Sequence, residues 1–475
     1  MNPFGSFFLV FEFTPLYRLY QKENALYIIN GESQSLEIIP FAVKDGQITE
    51  PSRKTIDFKE QLTDFVIGDI TSVASSPKGD YNAVALQAKG TNDAGRVVIL
   101  KDQKIASEFA TGAQPDMVTI SPDGKWVITA DEGEPREGYG PGLIDPKGTI
   151  TVHNYETGVT KVLDFTAFDA KRGELLANKV LLKPGAAPSV DLEPEFVAVS
   201  GDSEKAYVSL QENNAIATVN LETLTIESVL GLGFKDHGLE ENAIDILQDK
   251  KIGIVPQKGF YGIYNPDAIG WYEAEGKGYI VTANEGDARE WGDYENVEKI
   301  DVEGYEVEVY KEDAFEGLDV DKTYLLGGRS FAIFEADTMQ LVYDSGSDME
   351  EITAQAFPEY FNASHSNTKI DNRSDNKGPE PEGVLLFTEW GRTYAFIGLE
   401  RIGGVMLYDI TEPTHPYFIE YQNTRDFSED VKGDSGPEGL AIIRSASDVG
   451  EAPVLLVSYE VSGTVGAFRI VGSKL

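Results

Sequence analysis

The sequence predicts an all-β fold, a seven-bladed β-propeller with long loop insertions. The first observation behind this prediction is a duplicated loop: Thr129–Glu137 reads TADEGEPRE, and Thr282–Glu290 reads TANEGDARE. The second is that an apolar, strand-like segment precedes each copy, and a Pro–Asp pair lies further upstream. The third is that looser copies of the same unit recur along the chain. A repeated unit of two adjacent strands is typical of propeller blades, whereas a β-sandwich gives no reason for a repeat.

Five of the repeated units carry an acidic residue at both ends. The acids at the start of the units are Asp116, Glu195, Asp267, Glu382 and Glu438, and the acids at the end are Glu132, Glu212, Glu285, Glu400 and Glu460. The two acids of a unit are 16, 17, 18, 18 and 22 residues apart, in chain order. Differences in turn length explain these differences in spacing, so the acids of the five units are expected at equivalent positions of the fold.

The first two blades lack this acidic pattern. Residues 24–29 and 35–41 alternate apolar and polar side chains around Asn30–Gly31, which predicts a hairpin. No strand is recognisable before this hairpin, so we expect residues 1–23 to be an atypical N-terminal segment and residues 24–475 to be a single propeller domain. In the second blade, residues 71–100, Thr71 and Gln87 replace the acids.

The later blades are separated by long connections. A loop rich in Gly and Pro spans residues 137–147, a charged insertion at 291–321 interrupts the fifth blade, and residues 348–379 are polar enough to predict a loop. The last blade, 438–470, shows three strands only. An N-terminal strand would most simply complete it, because a strand shared between the chain ends leaves no open edge.

Composition restricts the function classes. The chain has 80 acidic and 40 basic residues, a net charge of −40, which disfavours nucleic acid and anionic membranes as partners and favours cations. A merely soluble acidic surface is the alternative. The absence of cysteine excludes disulfides, thiolate nucleophiles and cysteine zinc sites. No segment reaches the roughly 18 apolar residues of a transmembrane helix, and the apolar N-terminus lacks the features of a signal peptide.

Several ordered motifs resemble the choice-of-anchor I domain of bacteria, a family that includes the mesenchyme-specific cell-surface glycoproteins linked to biomineral deposition. Besides the duplicated loop they are Glu382–Val384, Gly398–Arg401, Gly436–Leu440 and Val457–Thr464. The resemblance extends from about residue 24 to residue 470. It implies a propeller that is extracellular, surface-held or periplasmic. Members are often labelled alkaline phosphatase or phytase-like, but the resemblance supplies no catalytic residues.

The paired acids indicate a cation site. Inner strands line the centre of a propeller, so acids at equivalent strand ends should converge on one rim. Crowded carboxylates raise one another's pKa or bind a cation, and oxygen ligands favour Ca²⁺, or else Mg²⁺ or another hard divalent cation, over Zn²⁺. All ten acids are candidate metal ligands. The alternative is that they accept backbone hydrogen bonds or pair with Arg136, Arg289 and Arg401.

Two functions are compatible with such a rim. In the first, bound metal activates water for phosphoester hydrolysis, and Arg136, Arg289 and Arg401 bind the phosphorylated small molecule. In the second, the acids bind calcium for adhesion or contact with a mineral surface, without a reaction. The four histidines show no triad spacing, although His365 lies in a polar loop that could reach the rim.

Overall fold

The computed structural model describes residues 25–31, 33–40, 52–444 and 452–471 with their side chains. It also places the backbone of the strands Ser6–Phe7, Leu16–Lys22, Ala42–Lys44 and Gln47–Thr49. The chain is about 47% strand and 8% helix. The prediction of an all-β fold is therefore confirmed.

Within the described residues, most strands belong to seven four-stranded antiparallel sheets, numbered here by the order of their first strands. Sheet 1 contains Leu16–Lys22, Ala25–Asn30, Ser35–Pro40 and Lys54–Asp57, and sheet 2 contains Ile67–Ser75, Asn82–Ala88, Ala94–Lys101 and Lys104–Ala113. Sheet 3 contains Pro115–Ile120, Trp126–Asp131, Thr149–Asn154 and Thr160–Asp164, and sheet 4 contains Pro194–Val199, Lys205–Leu210, Ala215–Asn220 and Thr225–Gly231.

The remaining four-stranded sheets follow the same order. Sheet 5 contains Ile269–Ala274, Lys277–Asn284, Ser330–Glu335 and Gln340–Asp344, and sheet 6 contains Pro381–Glu389, Arg392–Leu399, Val405–Asp409 and Tyr417–Gln422. Sheet 7 contains Pro437–Ile443, Val454–Tyr459, Thr464–Arg469 and the N-terminal strand Ser6–Phe7. Ser6 lies opposite Phe468 in an antiparallel ladder, so an N-terminal strand completes the last sheet, as the sequence predicts.

Smaller elements fill the connections. A three-stranded sheet is formed by Phe234–Asp236, Phe260–Ile263 and Thr323–Leu326, and two-stranded sheets by Ala42–Lys44 with Gln47–Thr49, Glu290–Trp291 with Tyr294–Glu295, and Val297–Val302 with Tyr305–Tyr310. The α-helices are Phe58–Gln61, Arg172–Ala177, Pro188–Asp191 and Asp348–Ala356, and the 3₁₀ helices are Thr166–Lys171, Glu240–Asn242 and Pro358–Tyr360. No described helix has the length and apolar character needed to cross a bilayer.

Two predictions from the sequence, one about a loop and one about a strand, are corrected here. Residues 348–356, predicted as part of a loop, form the helix Asp348–Ala356, because the buried Met349 and Thr353 pack into the protein. The sequence shows no recognisable strand before the first hairpin, but the structure has one, because Leu16–Lys22 pairs with Ala25–Asn30. The charged insertion is ordered as the hairpin Val297–Val302 with Tyr305–Tyr310.

Apolar side chains hold neighbouring sheets together in sequence. One buried cluster joins sheets 3 and 4 through residues such as Ile128 and Val208, and another joins sheets 5 and 6 through Val281 and Ile397. Comparable clusters join each remaining consecutive pair, and one joins sheet 7 to sheet 1. The first strands of consecutive sheets also lie against one another, including those of sheets 7 and 1. This packing brings the starts of the first strands together.

A buried aspartate ties the end of sheet 3 together. Asp131 accepts hydrogen bonds from the hydroxyls of Thr129 (2.6 Å), Thr149 (2.8 Å) and Thr151 (2.6 Å) and from the Gly112 N–H (3.0 Å). Burial raises its pKa to about 6, against the lowering effect of these bonds. The carboxylate therefore ionises later in the folded chain than in the unfolded chain.

This shift predicts a pH-dependent stability difference between the protein and its Asp131→Asn variant. Between pH 4 and 6 the unfolded chain loses the Asp131 proton while the folded chain keeps it, so rising pH destabilises the wild type relative to the variant. Asparagine is a suitable replacement, because Asn284 ends the corresponding strand of sheet 5. Urea unfolding at pH 4, 5, 6 and 7 measures the difference. A difference that is constant with pH would contradict the assigned shift.

Candidate functional site

In four of the five units, the acid that begins the unit owes its position to the preceding proline. Pro115 lies opposite Asp131, and Met117 lies opposite Ala130, so Asp116 is the extra residue of a β-bulge. Proline has no N–H for a continuing ladder, and a bulge redirects the side chain at that point. The same register shift follows Pro194, Pro381 and Pro437. In these four units the Pro–acid pattern therefore marks a bulge at the beginning of the first strand, whereas Asp267 precedes its strand, Ile269–Ala274.

The acid that ends each unit lies beside the first acid because the two strands are antiparallel. Glu132 follows strand Trp126–Asp131 directly, and its N–H donates to the Gln114 carbonyl at 3.0 Å. Equivalent bonds join Glu400 to Glu380 (2.9 Å) and Glu460 to Gly436 (2.8 Å). In all three units the acceptor lies two residues before the first acid. This repeated contact confirms that these units are structurally equivalent.

The glycine of the duplicated Glu–Gly motif permits a close backbone crossing. Gly133 and Gly286 have φ values of 68° and 97°, in the left-handed region. A Cβ atom on Gly133 would collide with the backbone of Lys147 and Gly148, and one on Gly286 with that of Gly327. In both copies the crossing segment leads into the third strand of the sheet. The motif thus fixes Glu132 and Glu285 at the end of the second strand.

Two equivalent groups of three carboxylates result. Asp116 and Glu132 of sheet 3 meet Glu195 of sheet 4, with one oxygen of each within 4.8 Å of the others. Asp267, Glu285 and Glu382 form the same arrangement between sheets 5 and 6. Each group combines both acids of one unit with the first acid of the next unit. Six of the ten predicted ligands are therefore brought together in two groups.

The other four predicted ligands lie near these groups in different combinations. Glu400 and Glu460 form a group with His365, and Glu400 forms another with Glu285 and Glu380, by the same 4.8 Å measure. Glu212 interacts electrostatically with Glu195, and Glu438 with Glu382. Glu212 is 5% exposed, and its Oε2 has no hydrogen-bond partner in the described part of the protein.

Burial and mutual repulsion raise the pKa of most of these carboxyls. For Glu195 the causes are burial and then the charges of Glu132 and Asp116, and for Glu382 they are burial and then the charges of Glu400 and Glu285. The pKa rises to about 8 for Glu212 and for Glu285, again mainly because of burial. Carboxylates crowded in this way need protons or cations to neutralise them.

Side-chain cations neutralise part of this charge. Lys377 Nζ lies 2.6 Å from Glu285 Oε1 and 2.9 Å from Glu380 Oε2. Arg401 contacts Glu380 (2.8 Å) and Glu400 (3.0 Å). Glu380 also pairs with Arg373 at 2.6 Å, and these cations lower its pKa although burial opposes them.

Arg136 and Arg289 differ in their surroundings. Arg136 donates to Glu132, Glu134 and Gln87, each at 2.8 Å, and its side chain is 31% exposed. Arg289 is 1% exposed and lies between Asp191 (2.7 Å) and Glu193 (3.0 Å). The three arginines predicted to bind substrate all contact carboxylates, and Arg289 is enclosed by its partners.

Sequence reasoning missed several charged residues of the site. Lys377 lies in a long connection, and Glu380 directly follows it. The spacing of the repeats does not predict the path of this connection. A signal for Glu380 was nevertheless present: Glu380–Pro381–Glu382 repeats the pattern Glu193–Pro194–Glu195, and in both cases the acid before proline pairs with a buried cation. Asp69 was also missed; its pKa is raised by burial and by Asp116.

Comparisons with known proteins identify relatives of the chain. The sequence model of the choice-of-anchor I domain matches residues 17–309 and 301–413. Gigasin-3a of Magallana gigas is 32% identical over 167 residues, which is 32% of this chain and 59% of that protein. The mesenchyme-specific cell surface glycoprotein of Strongylocentrotus purpuratus is 27% identical over 104 residues, 19% of this chain and 13% of that protein.

The chain thus matches about three fifths and about one eighth of the lengths of these two curated relatives. Among solved structures, Kuenenia stuttgartiensis hydrazine synthase is similar with a TM-score of 0.50 and 12% identity, over 98% of this chain and 99% of that one. At this identity the likeness concerns the fold alone. The structural neighbours are propeller-like.

Proposed function

The chain belongs to the choice-of-anchor I domain family, and we propose that it is a seven-bladed β-propeller, secreted or held at the cell surface, that binds divalent cations at its centre. Ca²⁺ is the expected ion, and Mg²⁺ is the nearest alternative. The seven four-stranded sheets are the proposed blades, and the packing of sheet 7 on sheet 1 supports a closed ring. The family and its cell-surface relative support the proposed location.

The observation that carries the proposal is the pair of equivalent groups Asp116–Glu132–Glu195 and Asp267–Glu285–Glu382. Three carboxylates can offer up to six oxygens, and Ca²⁺ takes about 6–8 oxygen ligands. Two different sheets contribute to each group, so an ion there would also hold the sheets together. No cysteine or histidine belongs to either group.

The charges near the groups also fit a bound cation. The contacts of Arg136 with Glu132 and of Lys377 with Glu285 supply one internal cation beside each group of three carboxylates. Glu382 Oε2 is buried without a hydrogen-bond partner among the described residues. A divalent ion would neutralise the remaining charge and supply this oxygen with a partner.

Calorimetric titration of the metal-free protein with Ca²⁺ tests the proposal. We expect Glu195→Gln to weaken binding at the first group and Glu382→Gln at the second, each at least about tenfold, because the amide keeps the shape but loses the charge. The double variant should lose both sites. Glu222→Gln is the matched control, because Glu222 is exposed in the turn between the third and fourth strands of sheet 4. This variant should bind Ca²⁺ like the wild type.

The variants must remain folded for this comparison, which circular dichroism establishes. If Glu195→Gln and Glu382→Gln bind Ca²⁺ as tightly as the wild type, the two groups are not the sites. Loss of stability without loss of binding would instead assign these acids to blade packing.

Metal-dependent phosphoester hydrolysis is a second candidate. The supporting observation is that Arg136 and Arg401 have partly exposed side chains, 31% and 18%, beside the carboxylate groups. Such arginines could bind a phosphate, whereas the enclosed Arg289 serves the fold in this proposal. Hydrolysis of a phosphomonoester and of phytate, with Ca²⁺ and after chelation, measures this activity. Arg136→Lys should lower turnover while Ca²⁺ affinity is unchanged, because lysine keeps the charge but loses the bidentate geometry.

Without such turnover, the cation site would serve binding alone. Calcium-dependent adhesion or contact with a mineral surface is the corresponding function, and the name of one relative, a cell surface glycoprotein, is compatible with a surface role. Equal rates with calcium and with chelator, or rates no higher than a buffer control, would exclude the metal-dependent hydrolase.

A further inference from the structure

A third ligand group differs chemically from the two carboxylate groups. His365, Glu400 and Glu460 each place one ligand atom within 4.8 Å of the others. His365 comes from the connection before sheet 6, Glu400 directly follows the second strand of sheet 6, and Glu460 directly follows the second strand of sheet 7. The group thus joins three separate segments and includes a nitrogen ligand.

We propose that His365, Glu400 and Glu460 form a separate site for a first-row transition-metal ion of the Zn²⁺ or Co²⁺ type. An imidazole nitrogen with two carboxylates is a ligand set for such borderline ions, whereas Ca²⁺ prefers oxygen ligands only. Three protein ligands leave one position of a tetrahedral ion for water. This site is additional to the proposed calcium sites and does not depend on them.

The segment carrying His365 is held in place from several sides. Ser435 Oγ donates to the His365 carbonyl at 2.8 Å. Arg425 donates from Nη1 to the Ser364 carbonyl and from Nη2 to the Asn367 carbonyl, both at 2.8 Å. These bonds fix the backbone on both sides of the imidazole. A metal ion would therefore meet a ligand that is already oriented, and less conformational freedom would be lost on binding.

The imidazole contacts an acidic and a basic side chain of the protein. His365 Nδ1 lies 2.9 Å from the acceptor Glu400 Oε1 and 2.6 Å from the donor Arg401 Nη1. The tautomer with its proton on Nδ1 donates to Glu400, and its Nε2 can accept from Arg401 Nη1, which lies 3.1 Å away. A metal ion would take the place of the Nδ1 proton between His365 and Glu400, because both the nitrogen and the carboxylate can donate lone pairs to it.

The site is also accessible and has a charge suited to a cation. The side chain of His365 is 21% exposed, and that of Glu400 is 7% exposed. The two carboxylates of the group lie near the cation Arg401. Arg401 has a further partner, Glu380, at 2.8 Å. Arg401 can keep this second contact when Nη1 turns away from the imidazole. An ion can thus enter without leaving the arginine unpaired.

Titration of the full-length protein with Co²⁺, in the presence of saturating Ca²⁺, tests this inference. The d–d absorption of bound Co²⁺ reports coordination, and Zn²⁺ should displace the ion. We expect His365→Gln to weaken Co²⁺ binding at least about tenfold and to abolish the wild-type spectrum, because the imidazole is lost. Glu460→Gln should also weaken it. His415→Gln, at an exposed histidine outside the group, is the matched control.

The calcium isotherm separates this inference from the proposed function. His365→Gln should leave Ca²⁺ binding unchanged, and failure of Ca²⁺ binding in the wild type would overturn the proposed function alone. A wild type that binds no Co²⁺, or a His365→Gln variant with the wild-type spectrum and affinity, would overturn the transition-metal site. Pulsed electron paramagnetic resonance of the wild type with Cu²⁺ gives an independent check: absence of coupling to an imidazole nitrogen would also overturn it.

Discussion

Replacement of Arg289 by methionine should lower the free energy of unfolding by about 3–5 kcal/mol, because it leaves two carboxylates buried without their cation. Asp191 and Glu193 are 3% exposed, and Arg289 is 1% exposed. Arg289 also donates from Nη2 to the Asp191 carbonyl at 2.8 Å. The arginine lies in the duplicated loop of sheet 5, whereas both acids precede the first strand of sheet 4. Its loss would therefore disconnect the ends of two neighbouring sheets.

Chemical denaturation of the wild type and Arg289→Met measures this loss. Arg96→Met is the matched control, because Arg96 pairs with the more exposed Asp64 and Glu108, and such surface pairs contribute about 0–1 kcal/mol. A triple variant that adds Asp191→Asn and Glu193→Gln should recover part of the stability, since the unpaired charges are gone. If the free energy of unfolding of Arg289→Met is within about 1 kcal/mol of the wild-type value, Arg289 does not hold the ends of the two sheets together.

Removal of calcium should lower the melting temperature substantially. An ion that binds only the folded state stabilises it by about 2.7 kcal/mol per site at a concentration of one hundred times its dissociation constant. Two equivalent groups would double this contribution when the ions bind independently. Differential scanning calorimetry in excess chelator and at increasing Ca²⁺ concentrations gives the measurement. We expect the melting temperature to increase with the logarithm of free Ca²⁺.

The calcium effect should also increase with pH up to about 8, the pKa of Glu212 and of Glu285 in the absence of metal. Because both pKa values are raised in the folded state, metal-free protein loses stability as pH rises from the unfolded carboxyl pKa towards 8. Bound Ca²⁺ stabilises the ionised carboxylates and opposes this loss. An unchanged melting curve in chelator, together with no metal in elemental analysis, would favour ion pairing as the complete explanation.

The repeated pattern predicted the positions of the acids because it reports local backbone structure. Proline before the acid forces a bulge, and glycine after the second glutamate permits a close crossing, so both motifs can be recognised without knowledge of distant contacts. Asp116 lies in such a bulge, and both Glu132 and Glu285 precede such a glycine. Their arrangement with Glu195 and Glu382 of the next sheets depends on the order of the repeats.

The cations were harder to predict because their partners are distant in the sequence. Lys377 contacts Glu285, 92 residues earlier, and Arg289 contacts Asp191, 98 residues earlier. Lys377 comes from a connection that occurs once. Arg289 lies in the duplicated loop, but its copy Arg136 pairs with Glu132 and Glu134 of its own loop, so the repeat does not predict the partners of Arg289. The helix Asp348–Ala356 was missed for another reason: the signal Ser347–x–x–Glu350, typical of a helix start, lies within a polar segment that resembles a loop.

Crystals of the full chain soaked with a lanthanide in place of Ca²⁺ give the most direct test of the central claim, which is that the carboxylate groups bind cations. Anomalous difference density should show one ion within coordination distance of Asp116, Glu132 and Glu195, and a second near Asp267, Glu285 and Glu382. Competition by Ca²⁺ should remove both peaks. Peaks confined to surface acids, or no peak near either group in crystals that diffract well, would contradict the proposed cation sites.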